Sequence, residues 1–271
     1  MRKAAATVQG GSVRPRRRGR RTPPLVHAGA ALFLDLDGTL FELAPTPARV
    51  AAAPALHPLL IALAQRLDGA LALVTGRALA DVDRLLAALP LPVAALHGAS
   101  RRRVDGVVQS HASAAHDDSA LRAELTELAT RHRGLRFEDK GMAFALHYRE
   151  APALASFAHR TLRRHAARAT PSPWALQRGK GIVELRPHGY DKGTAIAAYM
   201  EEPPFAGRVP MFVGDDVTDE AGFAAVNAMR GHAIKVGRGP TCAAYRLPGV
   251  AAVREWLVRS VDALRAEHAA R

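Results

Sequence analysis

Two kinds of apolar run alternate along most of the chain. Short runs bounded by turn residues, "ALFLDL" (31–36), "ALALVTG" (70–76) and "LPVAALHG" (91–98), read as buried parallel strands. Between them, "PALHPLLIALAQRL" (54–67) and "RALADVDRLLAAL" (77–89) place leucines at helical spacing, the second with acids in its first turn. The rhythm resumes later: "GTAIAAYMEE" predicts a helix, "VPMFVGDD" a strand, "DEAGFAAVNAM" a helix, "GHAIKVG" a strand and "VAAVREWLVRSVDALRAEHAA" a closing helix. Strand and helix in alternation predict an α/β fold built on a doubly wound parallel sheet.

Residues 101–188 have a different texture. "RRRVDGVVQS", "LRFEDKGMAFALHYR" and "WALQRGKGIVELRP" read as hairpins, and "DDSALRAELTELATRHRG" and 151–169 as helices. Hairpins with covering helices predict a smaller α+β cap inserted into a core formed by 28–100 and 189–271.

Composition narrows the class. The 271 residues are 48% hydrophobic but only 5% aromatic, so an Ala/Leu/Val core is expected. No apolar run approaches the roughly 18 residues of a membrane-spanning helix, so no membrane partner is expected. The single cysteine, Cys242, excludes an intramolecular disulfide and a cysteine-rich zinc site, and suits a reducing compartment. A cytoplasmic monomer is expected. The net charge of +13 invites a nucleic-acid reading, but its distribution weakens it. Residues 1–27 hold eight Lys and Arg and no acid, more than half of that excess. They read as a disordered basic arm able to touch polyanions without sequence preference. No apolar stretch follows the arginines, which argues against a secretory signal.

Ligands of open α/β sheets bind outside the carboxyl ends of the strands, and four sets of reactive residues fall there. Asp35 and Asp37 follow the first strand, and Thr75, Gly76 and Arg77 the second. Lys192 lies where the chain re-enters the core, and Asp215, Asp216 and Asp219 follow "PMFV". Carboxylates converging without Cys or His make an oxygen-only site for a hard cation, with Mg²⁺ the natural occupant. A carboxylate is also a competent nucleophile toward phosphorus, and a second one two residues along can protonate the leaving alkoxide. Thr hydroxyl, Lys ammonium and Mg²⁺ can neutralise the transferring phosphoryl oxygens.

Plainer readings compete. Strand-end acids can simply solvate a turn, and Thr75-Gly76-Arg77 can stop a strand and cap a helix. Asp216, Asp219 and Glu220 open a helix, where acids are favoured anyway. Glu138 and Lys140, two apart on a strand, could form a surface ion pair. On its hairpin, His147-Tyr148-Arg149 suits packing as well as substrate contact.

The four sets occur in a telling order. "DLDGTL", "VTGR", the lysine of "DKG" and "GDDVTDE" resemble the four motifs of the haloacid dehalogenase superfamily of phosphatases. "LHGA", "FEDKGMAFALHYR", "VELRPHGYDKGTAI" and "GDDVTDEAGF" are together similar to the trehalose-6-phosphate phosphatases, a resemblance running from about 30 to 225. It implies Asp35 as nucleophile, Asp37 as general acid and base, and Thr75 and Lys192 on the phosphate; Gly76 and Arg77 beside them are expected to bind substrate. It implies Mg²⁺ on Asp35, the carbonyl of Asp37 and Asp215, supported by Asp216 or Asp219. It also implies an inserted α+β cap, whose sugar-binding positions match Glu138, Lys140 and Glu184, with His97 and Gly98 reaching from the core. One departure is Ser100, where the family often carries an acid after His-Gly-Ala. The implied activity is Mg²⁺-dependent hydrolysis of trehalose 6-phosphate to trehalose and phosphate through an aspartyl-phosphate, in trehalose biosynthesis. Alternatives are a relative acting on sucrose phosphate or mannosyl-3-phosphoglycerate, a phosphomannomutase-like transferase, or a polyanion-binding or regulatory protein on a retired phosphatase fold. The basic arm favours the last; the intact acids oppose it.

Overall fold

The computed structural model describes residues 21–43, 55–110, 118–168 and 171–269. The first half of the core runs β1 (Ala30–Leu34), α1 (Leu56–Arg66), β2 (Leu71–Val74), α2 (Leu79–Leu85), β3 (Val93–Ala95), β4 (Ser100–Arg102) and β5 (Val108–Ser110). The cap follows as α3 (Ser119–Arg131), β6 (Arg136–Asp139), β7 (Phe144–His147), α4 (Ala155–Ala166), β8 (Trp174–Gly179) and β9 (Ile182–Pro187). The chain then returns through α5 (Lys192–Met200), β10 (Val209–Gly214), α6 (Glu220–Ala228), β11 (His232–Val236), β12 (Tyr245–Leu247) and α7 (Val250–Ala269).

The core strands form one eight-stranded sheet in the order β12-β11-β10-β1-β2-β3-β4-β5, parallel except for β4 and β5. All five residues of β1 are buried, as are all four of β2, because helices cover both faces and leave no solvated side to alternate toward. From β1 the chain crosses to β2 on one side, and from β10 it crosses to β11 on the other. Right-handed crossovers in opposite directions put their helices on opposite faces, and α1 packs with α7 while α5 packs with α6. Neighbouring β1 and β10 are thus the point where the winding reverses, and the crevice at their carboxyl ends is where such sheets bind ligands. Asp35 and Asp215 stand immediately after those two strands.

The cap is a four-stranded antiparallel sheet, β6-β7-β9-β8, with its own core. Its strands alternate cleanly. Phe144 and Leu146 of β7 and Val183 and Leu185 of β9 pack with Leu125 of α3 and Leu162 of α4. The residues between them face the other way, and the register sets Glu138, Ala145, Glu184 and Gln177 side by side across the sheet. One period-two pattern therefore both builds the cap and aims a polar row at the catalytic crevice.

Three sequence expectations change here. The hairpin 101–110, assigned to the cap, instead extends the core sheet: Arg102 of β4 pairs with Val93 of β3. The inserted unit begins after β5. The arm was expected to run to residue 27, yet 21–27 lie on the core. Val26 is buried and its N–H donates to Ser260 Oγ, Trp256 Nε1 donates to the carbonyl of Pro24, and Arg21 bridges to Tyr245. The rest of the expected arm, 1–20, lies outside the described residues. Finally β12 was not anticipated; it is three residues long, below the length at which alternation is readable. Among the described residues no helix is long and apolar enough to cross a membrane.

Candidate active site

Asp35 directly follows the fully buried strand β1 and is itself 3% exposed. Its backbone N–H continues the ladder to the carbonyl of Val213, so its position is set by the sheet. Lys192, the first residue of α5, is 2% exposed and donates to Asp35 Oδ1 at 2.6 Å and to Asp219 Oδ1 at 2.5 Å. A cation at a helix start opposes the helix dipole, and Asp191 offsets this as N-cap, accepting from the N–H of Thr194. Burial favours the neutral amine of Lys192, but Asp219 and Asp35 reverse this and raise its pKa. Asp35 goes the other way. Burial holds its pKa well above the ordinary value; Lys192 opposes this, while Asp219 and Asp215 reinforce it.

Asp215 follows β10 and receives Lys180 of the cap at 2.5 Å on Oδ2, while Lys235 of β11 donates to its carbonyl. Burial raises the pKa of Asp215 against the pull of Lys180. Asp219 is fully buried, and its Oδ2 accepts the N–H of Asp216 at 2.7 Å. Asp216 in turn caps the short turn 217–219. The plainer helix-start reading thus describes the side chain of Asp216, whereas Asp219 both caps and holds Lys192.

One oxygen each from Asp35, Asp215 and Asp219 lie within 4.8 Å of one another. The donor set is all carboxylate, which suits a hard divalent cation. Gly38, at φ +80°, leaves Asp215 the space a Cβ would occupy. The residues fit the expected metal, with Asp219 rather than Asp216 completing the trio.

Asp37 is held by Arg77, whose Nε and Nη2 each donate at 2.6 Å in a bidentate fork. Arg77, expected to bind substrate, lines the crevice, and its fork fixes the side chain of Asp37. Thr75 is 1% exposed and its Oγ1 accepts the N–H of Arg77. Gly76 is required by packing, since a Cβ there would lie 2.7 Å from the ring of His97.

His97 adopts φ 57°, a left-handed conformation that costs a non-glycine residue energy, and Gly98 follows at φ +102°. Burial, together with Lys192, Lys140 and Arg186, pushes the His97 pKa well below its ordinary value. The imidazole is therefore neutral near pH 7, and its 4.0 Å approach to Glu184 is a polar contact rather than an ion pair.

From the cap, Lys140 Nζ donates to Glu184 Oε2 at 2.9 Å and to the carbonyl of Gly76 at 3.0 Å, tying cap to core. Glu138 pairs with His147 at 2.6 Å across β6 and β7, so in place of the surface pair considered between Glu138 and Lys140 each has its own partner. Burial opposes ionisation of Glu138, but the hydrogen bond from His147 and the charge of Lys140 bring its pKa down to about 2. Glu184 is 4% exposed, and its second oxygen, Oε1, is buried without a hydrogen-bond partner. Buried carboxylate oxygens seldom go unpaired, and Glu184 lines the cleft between sheet and cap.

Of the site residues expected from the sequence, all but Gly98 and Asp219 line one cleft between sheet and cap. Three residues without a sequence expectation join them, Gln177, Arg178 and Lys180, together with His147 and Arg149 of the hairpin that suits packing as well as substrate contact. Alternation offered a signal for two of them, since Gln177 pairs with Glu184 in register and His147 is two along from Ala145. Lys180 carried none beyond its place in a Gly-Lys-Gly turn.

A family model described as trehalose-phosphatase matches residues 33–249. The trehalose-6-phosphate phosphatase of Escherichia coli K12 is 44% identical over 245 residues, covering 89% of this chain and 90% of that one. Among solved structures, a trehalose-6-phosphate phosphatase related protein superposes with a TM-score of 0.74 at 26% identity, covering 87% of this chain and 99% of the other. A phosphatase of the haloalkanoate enzyme superfamily from Bacteroides thetaiotaomicron shares the fold, with a TM-score of 0.54 at 15% identity over 94% of this chain and 99% of the other.

Proposed function

The chain belongs to the trehalose-phosphatase family of phosphoric monoester hydrolases, and we propose that Asp35 is the nucleophile with which it hydrolyses trehalose 6-phosphate. The reaction yields trehalose and phosphate and serves trehalose biosynthesis. A carboxylate oxygen of Asp35 forms a bond to phosphorus as the bond to the sugar oxygen breaks, leaving an aspartyl-phosphate. Asp37, placed in the crevice by the Arg77 fork and acting from its protonated form, gives its proton to the departing alkoxide. It then takes a proton from the water that attacks the phosphoryl group, restoring Asp35 and releasing phosphate. Thr75 and Lys192 hold phosphoryl oxygens, and Lys192 also keeps Asp35 aimed. A Mg²⁺ held by Asp35, Asp215 and Asp219, with the carbonyl of Asp37, would supply further charge neutralisation.

The sugar is read from the cap. Glu184, Glu138 and Lys140 offer charged acceptors and a donor to the distal hydroxyls, with His97 and Gly98 on the core side. The observation that carries this assignment is the unpartnered oxygen of buried Glu184, in the same cleft as the Asp35–Lys192 pair. A buried carboxylate that pairs its spare oxygen with a sugar hydroxyl discriminates strongly against a sugar lacking that hydroxyl. Phosphate release from a panel of sugar phosphates, with and without Mg²⁺, tests the reading. Trehalose 6-phosphate is expected to lead the panel and to require the cation. Equal rates on glucose 6-phosphate would refute the role given to the cap.

A further inference from the structure

Lys235 lies on β11, paired in register with Gly214, the residue before Asp215. It is 4% exposed. Burying an ammonium is costly unless other charges offset it, and Asp219, Asp215 and Glu220 do so here. The hydrogen bond of Lys235 nevertheless goes to the main-chain carbonyl of Asp215.

The other side of the same peptide group is also held. The N–H of Asp216 donates to Asp219 Oδ2 at 2.7 Å, so the peptide joining Asp215 and Asp216 is gripped at both ends. An ammonium meets its oxygen and a carboxylate meets its hydrogen, each charge on the favourable end of the amide dipole. Gly214 permits this arrangement, since a Cβ there would collide with the carboxyl group of Asp219. Peptide units turn as rigid planes, so fixing this one fixes the backbone from which the Asp215 side chain leaves. Lys180 of the cap also comes within 3.5 Å of the Asp215 carbonyl, but it is half exposed and belongs to the other unit. Lys235 is held by the same sheet as Asp215 itself.

We propose that Lys235 is a positioning residue for the cation site: by holding the 215–216 peptide against Asp219, it sets the Asp215 carboxylate toward Asp35 and Asp219 before a cation arrives. The proposal rests on the reading of those three acids, whose oxygens lie within 4.8 Å of one another, as that site. A positioning role and a plain charge have opposite signs. A cation beside a cation site repels the incoming ion, so by electrostatics alone loss of Lys235 would tighten binding. Loss of a positioning group loosens it. Mg²⁺, which demands near-ideal octahedral geometry, then suffers more than Ca²⁺, which accepts irregular geometry.

The test uses the full chain with Lys235→Met, which keeps the length and apolar stem of the side chain and removes its charge and donors. Folding is checked by circular dichroism. Lys235→Gln replaces the methionine variant should that one not fold, with the same direction of change expected. Mn²⁺ binding to the substrate-free enzyme is read by electron paramagnetic resonance, and Mg²⁺ and Ca²⁺ affinities by competition with Mn²⁺. Mg²⁺ binding is expected to weaken about 10- to 100-fold, the usual effect of losing a group that orients a metal ligand, and Ca²⁺ binding much less. Unchanged or tighter Mg²⁺ binding would reduce Lys235 to charge compensation, and an equal or greater loss for Ca²⁺ would make it a general support of the fold. Either result overturns the proposal. Neither turnover nor a sugar enters these readings. An error in the cation-site reading would appear separately, as wild-type enzyme that binds none of the three ions. An error in the substrate reading would appear as wild-type enzyme that binds Mg²⁺ but does not hydrolyse trehalose 6-phosphate.

Discussion

The ammonium of Lys192 meets the carboxylate of Asp35 at 2.6 Å across 157 residues of sequence, and both groups are almost completely buried. The same ammonium holds Asp219 at 2.5 Å. Lys192 thus joins the strand that leads into the proposed nucleophile to the turn that carries an acid of the proposed cation site. Breaking a buried pair from one side leaves uncompensated charge and typically costs about 3–5 kcal/mol. Lys192→Met is expected to lose turnover and to lose stability of that order in chelator-treated protein. Added Mg²⁺ should recover part of it, because a ligand bound only by the native state stabilises it. Urea unfolding with and without Mg²⁺ measures both; a cation-free stability equal to wild type would show that the pair does not support the fold.

The Glu138–His147 pair gives a pH signature. The Glu138 pKa falls from its ordinary 4.5 to about 2 on folding, so the pair stabilises the protein above about 4.5 and this contribution is lost as the pH falls toward 2. Glu138→Gln should therefore melt below wild type at pH 6, with the difference shrinking through that window. Thermal midpoints at a series of pH values check this, and a constant difference at every pH would assign the effect to packing.

Truncation separates the two parts of the basic N-terminal segment. Removal of residues 1–20, rich in Arg and Gly, is expected to leave kcat and melting temperature unchanged while reducing salt-sensitive binding to polyanions. Removal through residue 27 should destabilise, since burial of Val26 alone contributes about 1.5–3 kcal/mol and the Trp256–Pro24 hydrogen bond is lost with it. Equal melting temperatures for the two truncations would place 21–27 off the core.

That segment also shows where sequence reading stops. Its Pro, Arg and Gly content argues for an arm, and only the closing helix α7, more than 200 residues away, reveals that Val26 has somewhere to be buried. The hairpin 101–110 was recognised as a hairpin but given to the wrong unit, because alternation locates strands and not their neighbours. By contrast Asp35, Thr75, Lys192 and Asp215 were legible. Asp35, Thr75 and Asp215 directly follow apolar runs and Lys192 opens one, and polar groups converging at the strand ends of an open sheet have few structural reasons to do so. Lys180 was not legible, since its partner Asp215 is 35 residues away and belongs to the other unit. Distinguishing Asp219 from Asp216 required knowing which carboxylate turns inward to Lys192.

Specificity should divide along the cap. Glu184→Ala removes the unpartnered acceptor and the partner of Lys140, while Asp35, Thr75 and Lys192 are untouched. Its kcat/KM for trehalose 6-phosphate is expected to fall at least about 100-fold, the scale for lost hydrogen bonds to a charged group. Hydrolysis of p-nitrophenyl phosphate should change much less. Parallel losses on both substrates would make Glu184 a structural residue.

Covalent transfer to Asp35 is the step on which the rest depends. The most direct measurement is an acid quench within the first turnover, using trehalose 6-phosphate radiolabelled in its phosphoryl group, followed by digestion and peptide mapping. Label is expected on the peptide containing Asp35, removable by hydroxylamine as an acyl-phosphate is, and absent from Asp35→Asn, which should also release no phosphate. Phosphate release by wild type without any labelled peptide, or near-normal release by Asp35→Asn, would contradict Asp35 as the nucleophile.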